Sequence, residues 1–354
     1  MSEGTPTMAP LDGITVVDLS LLIPGPWATT MLTELGAEVV HIEPPGGDPL
    51  RRMMPGSYEL VTRHKAVREL DLKSAAGRDE LWSLIAGADV LVEGFRPGTV
   101  DKLGFGPQET GSRYPRLIYC SINGYGSEGP YRDRPGHDIN YLAASGVLSL
   151  SGDPDGRPYP GGGVPLADLA ASLFATQAIL AALLLREKTG VGGYFEVPLA
   201  ASALKIGESR LVEYQERGRP GKREMMSRGA YDTFRCGDGT WIAVGCIEDR
   251  FWSRLCTAIG AADLLDDERF SSYADRSAHA DVVNGRLAEI FAGAGRGHWI
   301  DLLSSADVPV NAIINFEDVA DDMHMSRWLH GWPGEPWVDL PYNFREYSGA
   351  RGRQ

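Results

Sequence analysis

GITVVDLSLLIPGPWATTMLTELGAEVVHIE, residues 13–43, places two apolar strand signals on either side of one helical signal. Ile14 to Leu19 is a short run rich in β-branched side chains, and it reads as a buried strand. Pro26 to Leu35 has the spacing of a helix, and Gly36 follows it where a helix commonly stops. Val39 to Ile42 is the next strand. A strand, a helix and a strand in such close succession predict a parallel pair joined by a crossover helix. The same alternation continues outward. Arg78 to Ala86 is helical in spacing, and Val90 to Phe95 and Leu117 to Ile122 are strand-like. The first 125 residues therefore predict a doubly wound parallel sheet. The turn after the first strand, SLLIPGPW, has no GxGxxG, so the usual dinucleotide fingerprint is missing.

Residues 164–188 form the longest helical candidate, and the longest apolar run, Ile179 to Leu185, is too short for a membrane span. Tyr231 to Cys236 and Trp241 to Ile247 flank Gly237-Asp238-Gly239, a hairpin signal. Helical patterns follow at 250–260, 281–292 and 297–304, with a short strand at 310–314. The division this predicts is a large α/β domain over 1–200, a linker over 201–225 and a smaller α+β domain over 226–324.

The chain has 354 residues, 43% of them hydrophobic, and a net charge of −14. That acidity argues against nucleic acid or an anionic membrane as the main partner. Cys120, Cys236, Cys246 and Cys256 form no CxxC pair and read as reduced, buried thiols. MSEGTPTMAP has neither a basic region nor an apolar core, so no signal peptide is expected and the location reads as cytoplasmic.

Three residues are candidates for chemistry. Asp168 is the only charged residue between Pro158 and Leu185. A carboxylate in such surroundings is desolvated and becomes a better base, although an acid one turn into a helix is also favoured by the helix dipole. His137 precedes Asp138 at a helix start. It reads either as an acid/base that titrates near neutrality or as part of an ordinary helix N-terminus capped by Asp138. Glu248 follows an apolar strand, where it can orient a histidine or simply face solvent at a helix start. Residues 50–78 carry seven basic side chains, Arg51, Arg52, Arg63, Lys65, Arg68, Lys73 and Arg78, against three acids. This local inversion suits either a polyanionic small molecule or a solvated face.

Several ordered motifs add a resemblance. LDGITVVDLS, PGPWATTMLTELGAEVVHIEPPGGDP, DLKS, DVLVEGFRPGTVDKLGFGP, RLIYCSINGYGSEGP and GHDINYLAASG resemble the class III CoA-transferase (CaiB/BaiF) family. Within it, GHDINYL and YDTFRCGDGTWIAVGCIEDRFW are most similar to the α-methylacyl-CoA racemases. The resemblance implies an interlocked homodimer whose 325–354 tail completes the large domain. It implies that His137 and Asp168 are the acid/base pair and that Glu248 orients His137, with the two halves of a site coming from different chains. It places CoA contacts on Leu70, Asp71, Leu72 and Lys73, on Gly94, Phe95 and Arg96, on Lys102, and on Asp138, Ile139, Asn140, Tyr141 and Leu142. Phosphate contacts would fall on Arg51, Arg52, Arg63 and Lys65. No metal or other cofactor is implied; coenzyme A is part of the substrate.

The sequence departs from the family pattern in three places. Leu169-Ala170-Ala171 replaces the usual glycines after the aspartate, Pro44-Pro45 follows Glu43, and Thr62 and His64 alter an Asn-Arg-Gly-Lys pattern. The favoured expectation is inversion at the α-carbon of a 2-methylacyl-CoA by two bases acting on opposite faces through an enolate. The alternatives are a CoA transferase that uses Asp168 as nucleophile and an acyl-CoA-binding relative without turnover.

Overall fold

The structure is a computed structural model that describes residues 9–159, 163–334 and 336–342. These residues divide into two compact units. One takes the described parts of 1–152, 158–213 and 328–354, and the other takes 153–157 and 214–327.

The first unit is built on six strands, β1 (Thr15–Asp18), β2 (Glu38–Glu43), β3 (Ala66–Glu69), β4 (Val90–Glu93), β5 (Ile118–Asn123) and β6 (Gly193–Pro198). Their order in the sheet is β3-β2-β1-β4-β5-β6, and every neighbouring pair is parallel. The doubly wound expectation holds, and the order matches that of dinucleotide-binding sheets although the glycine fingerprint is missing. Successive residues of a strand point to opposite faces, so Val16, Val90 and Val92 enter one core while Val17 and Leu91 enter the other. The first core is closed by helix Pro24–Glu34 through Ala28 and Leu32, and by helix Leu166–Thr189 through Ala171, Ala175 and Ile179. The second is closed by Leu81 and Ile85 of helix Ala75–Ala86.

Two strands of this sheet escaped the sequence reading. The β3 segment, AVRE, is an edge strand with all four residues exposed, so it lacks an apolar signature. The β6 segment, GYFEVP, starts with glycine and ends with proline, both poor strand signals. Helix Leu166–Thr189 is long and apolar enough by composition to cross a bilayer, but Ala167, Ala171, Ala175 and Ile179 are wholly buried against the sheet. One face of it therefore belongs to a protein core.

The second unit holds an antiparallel sheet, β7 (Tyr231–Arg235), β8 (Trp241–Gly245) and β9 (Val310–Ala312), in that order. Helices Asp249–Ala258, Ala280–Phe291 and Arg296–Ser305 pack on it around Phe234, Ile242, Trp252, Phe291 and Trp299. The hairpin and all three helices were legible in the sequence. The stretch read as a linker is largely helical, with Leu199–Ile206, Glu208–Glu216 and Lys222–Met226, and the division between units falls at 213/214. At the far end of the chain, the Trp337 ring lies 5.0 Å from the Arg63 guanidinium, and Leu340 packs against the first core. The reading of 343–354 lies outside the described residues. All four cysteines are buried and free.

Candidate active site

Connections from β1 and β4 leave the sheet in opposite directions, which opens a crevice above their carboxyl ends. Ser20 to Leu22 after β1 and Gly94 to Pro97 after β4 line a cavity of about 560 Å³ there, together with Asn123 and Gly124 at the end of β5. His137, Asn140, Tyr141 and Asp168 line the same cavity. Two of the three residues singled out for chemistry are thus brought together from positions 31 apart in sequence.

Asp168 stands in the first turn of helix Leu166–Thr189. The helix runs unbroken through Leu169, Ala170 and Ala171, so a glycine loop at that point is replaced by regular structure. Burial, and next the neighbouring Asp138 carboxylate, push the Asp168 carboxyl up to about 7. His137 is the N-cap residue of helix Asp138–Ala144, and its N–H donates to Asn140 Oδ1 at 3.0 Å. The cap role expected of Asp138 is corrected here. Its Oδ1 accepts from the N–H groups of Ala167 (2.7 Å) and Asp168 (3.2 Å), so it caps the helix that carries Asp168. That partnership is long-range, which is why local reading assigned Asp138 to its own helix.

The loop leading to His137 is fixed by Tyr141, whose hydroxyl donates to Gly136 O at 2.7 Å and whose ring meets Tyr125 edge-on. A Cβ at Gly136 or Gly124 would come within 2.9 Å of that ring, so both glycines are required by close approach. Tyr125 also meets Tyr131, and Tyr131 carries the Arg134 guanidinium 3.8 Å from its centroid.

A second cavity of about 550 Å³ is lined by Leu70, Asp71, Leu72 and Lys73, by Pro44 and Pro45, and by Thr99 and Leu103. Leu21 and Phe95 line both cavities, so one extended molecule can run between them. Most of the expected CoA contacts therefore fall on the two cavities: Leu70 to Lys73 on one, Gly94, Arg96, Asn140 and Tyr141 on the other, and Phe95 on both. Lys102 is exposed on helix Thr99–Leu103 beside the second cavity. Ile139 is exposed away from the cavity walls, and Leu142 is 5% exposed and packed in the core, so Leu142 is removed from the contact set.

The expected phosphate contacts need a further correction. Lys65 Nζ is wholly buried, donating to Pro26 O (2.6 Å) and Thr29 Oγ1 (2.7 Å) and lying 3.7 Å from Asp18 Oδ2. Burial lowers its ammonium to about 8 against the opposing pull of Asp18. Arg51 pairs with buried Glu43 at 2.9 Å, and Arg63 lies 3.8 Å from Glu34. Arg52 is exposed.

Sequence reading missed the buried group beneath the β1 loop. Asp18 accepts from the Ser20 N–H at 2.9 Å and from the Ser20 and Thr29 hydroxyls, and His41 Nδ1 lies 3.2 Å from its Oδ2. Burial alone raises Asp18, yet His41, Lys65 and the Ser20 hydroxyl outweigh it and hold the carboxyl well below the usual range. The available signal was a polar residue inside each apolar run, VVDL and VVHI. Across the crevice, Glu93 is 3% exposed and accepts from the Phe95 N–H at 2.7 Å, which fixes the β4 loop.

Glu248 belongs to the second unit. It is the N-cap residue of helix Asp249–Ala258, half-exposed, with Arg250 at 3.7 Å.

Comparison with known proteins places this geometry. The sequence profile of CoA-transferase family III matches residues 11–329. The chain is 36% identical over 334 residues to an acetyl-CoA:oxalate CoA-transferase of Acetobacter aceti, covering 91% of this chain and 85% of that protein. It is 34% identical over 320 residues to a probable fatty acyl-CoA transferase of Mycobacterium tuberculosis, covering 84% and 80%. A CaiB/BaiF family protein from Brucella suis superposes with a TM-score of 0.83 at 30% identity, over 96% of this chain and 93% of that one. The crevice above β1 and β4, the aspartate on its long helix and these matches agree: the chain belongs to CoA-transferase family III.

Proposed function

We propose that this protein moves coenzyme A between carboxylic acids, with Asp168 as the nucleophile. The observation that carries this reading is the Asp168 carboxylate in the cavity wall, pushed up to about 7 by burial and by Asp138. A raised carboxylate is the stronger nucleophile once ionised. An Asp168 oxygen attacks the thioester carbonyl, the C–S bond breaks, and CoA leaves as thiolate from a mixed anhydride. The thiolate attacks the Asp168 acyl carbon and expels the donor acid as carboxylate, leaving an Asp168 thioester. The acceptor carboxylate attacks that thioester, releases the thiolate and forms a second anhydride. The thiolate then takes the acceptor acyl group and frees Asp168. No step oxidises or reduces anything, and the acids exchange places. The named relatives, which are CoA-transferases, support this reading over the racemase expected from the sequence.

The racemase reading keeps one observation of its own: His137 and Asp168 line one cavity, as two opposed bases require. In that reading Glu248 orients His137. One experiment separates the two. The full chain is incubated with a 2-methylacyl-CoA in D₂O, with and without a free carboxylic acid. Transferase action gives acceptor-dependent acyl exchange that is abolished in Asp168→Asn. Deuterium at the α-carbon with the thioester intact and no exchange overturns it in favour of the racemase.

A homodimer is part of the proposal. It is supported by exposed apolar side chains on helix Leu166–Thr189, where Leu173, Leu184 and Leu185 are 60%, 68% and 59% exposed.

A further inference from the structure

Leu22 has a backbone that glycine would adopt without strain: its φ is 65°, in the left-handed region. Four other described non-glycine residues have a positive φ, His64, Arg219, Ala230 and Asp307, and none of them lines either cavity of the site. The turn is held from outside its own loop. The Leu22 N–H donates to Asp48 Oδ2 at 2.9 Å, from the segment that follows β2. Asp48 is 2% exposed; its Oδ1 accepts from the Leu50 N–H at 2.8 Å, and its own N–H donates to Glu43 Oε2 at 3.2 Å. Glu43 is fixed in turn by the Tyr58 hydroxyl at 2.7 Å and the Arg51 guanidinium at 2.9 Å. A chain of buried polar contacts thus ends on the amide of a residue held out of its ordinary conformation.

The side chain gives the turn a purpose. In an extended chain Leu21 and Leu22 would point to opposite sides. Here Leu21 lines both cavities, and Leu22 lines only the one that holds Asp168. Ile122, Tyr141 and Leu199 of the same cavity are buried, whereas Leu22 is partly exposed and keeps surface for a ligand. The helix after Asp168 is regular and supplies no loop to close over a bound acyl group. We propose that Leu22 is a specificity-determining residue, held by Asp48 so that its side chain packs on the acyl chain of a thioester bound at Asp168. Asp48 is a positioning residue that acts through the Leu22 amide. The presence of an acyl thioester there rests on the transferase reading, while the contact itself is a binding property.

The test compares CoA with S-butyl-CoA by calorimetry on the full chain. This thioether carries the alkyl chain but no carbonyl for Asp168 to attack. The native protein binds S-butyl-CoA ~10-fold or more tightly than CoA, since each buried methylene is worth ~4-fold. Leu22→Ala and Leu22→Gly lower that preference at least ~3-fold, and Leu22→Met, which keeps the volume, retains it. Leu22→Gly also unfolds at a higher temperature than Leu22→Ala, because only glycine relieves the left-handed backbone. Asp48→Ala lowers the preference as well, and adding it to Leu22→Gly lowers it no further. The Leu22 variants decide the matter should Asp48→Ala fail to fold. Equal binding of the two compounds by the native protein overturns the proposal, and so does an unchanged preference in Leu22→Ala and Leu22→Gly. A Leu22→Ala variant more stable than Leu22→Gly overturns it too, since that is the order at an unstrained position. Acceptor-dependent acyl exchange from butyryl-CoA is measured in parallel. No exchange by the native protein, with the S-butyl-CoA preference lost in the Leu22 variants, sinks the transferase reading and upholds the contact. Exchange by the native protein, with the preference unchanged in those variants, does the reverse.

Discussion

Asp168 has opposite effects on chemistry and stability. Its carboxyl is raised from 3.8 to about 7, so between these values the folded chain holds a proton that the unfolded chain has released. More protons bound in the folded state means that stability falls as pH rises through this window. Asp168→Asn removes that loss. Its stability relative to the native protein, measured by urea unfolding, is expected to improve by on the order of 2 kcal/mol between pH 4.5 and pH 8.5, with acyl exchange abolished. An improvement that is the same at both pH values would mean that Asp168 titrates normally. In the native enzyme the exchange rate should rise with pH through about 7, as the nucleophile ionises. His64 shows a different kind of tension. Its φ is 66°, in the left-handed region, at the position where the family pattern has glycine. The departure noted in the sequence is thus a strained backbone rather than a lost contact.

The helix Leu166–Thr189 is a single element with two duties. Its buried alanines let it lie close against the sheet, and its first turn delivers Asp168 to the crevice. No side chain of its own caps it; Asp138 does so from another helix. Asp138→Ala is expected to cost about 1–2 kcal/mol in unfolding free energy, as lost caps do. Asp138→Asn keeps an acceptor oxygen and removes the charge. The cap is then largely kept, while Asp168 titrates below its native value because one cause of its elevation is gone. A pH–rate profile for Asp138→Asn that superposes on the native one would show that the two carboxylates do not interact.

At the scale of the whole molecule, the described residues form two units with separate cores, and the first leaves apolar side chains uncovered. Leu204, Ile206, Leu211 and Val212 extend the exposed set beyond helix Leu166–Thr189. If a second copy covers them, folding is coupled to association and the unfolding midpoint depends on protein concentration. Equilibrium unfolding over a hundredfold dilution series is expected to show that dependence, with a dimer mass in sedimentation. A midpoint independent of concentration, with a monomer mass, would overturn the homodimer.

The sequence by itself determined the four inner strands of the sheet. The strands within the apolar runs at 14–19, 39–42, 90–95 and 117–122 are largely buried on both faces, and such strands announce themselves without reference to anything distant. It also marked Asp168 and His137, because each is a polar residue at the edge of an apolar helix. It did not reveal β3 or β6, whose residues are exposed or conformationally weak, nor the group formed by Asp18, His41 and Lys65, which exists only when strands far apart in sequence become neighbours. The partner of Asp138 and the fate of Lys65 were likewise decided by the tertiary structure alone. A hydrogen bond or an ion pair depends on separations of a few ångströms between chain segments that local propensity does not bring together. Only packing fixes those separations, which is why the family and fold were legible early and the working contacts of the site were not.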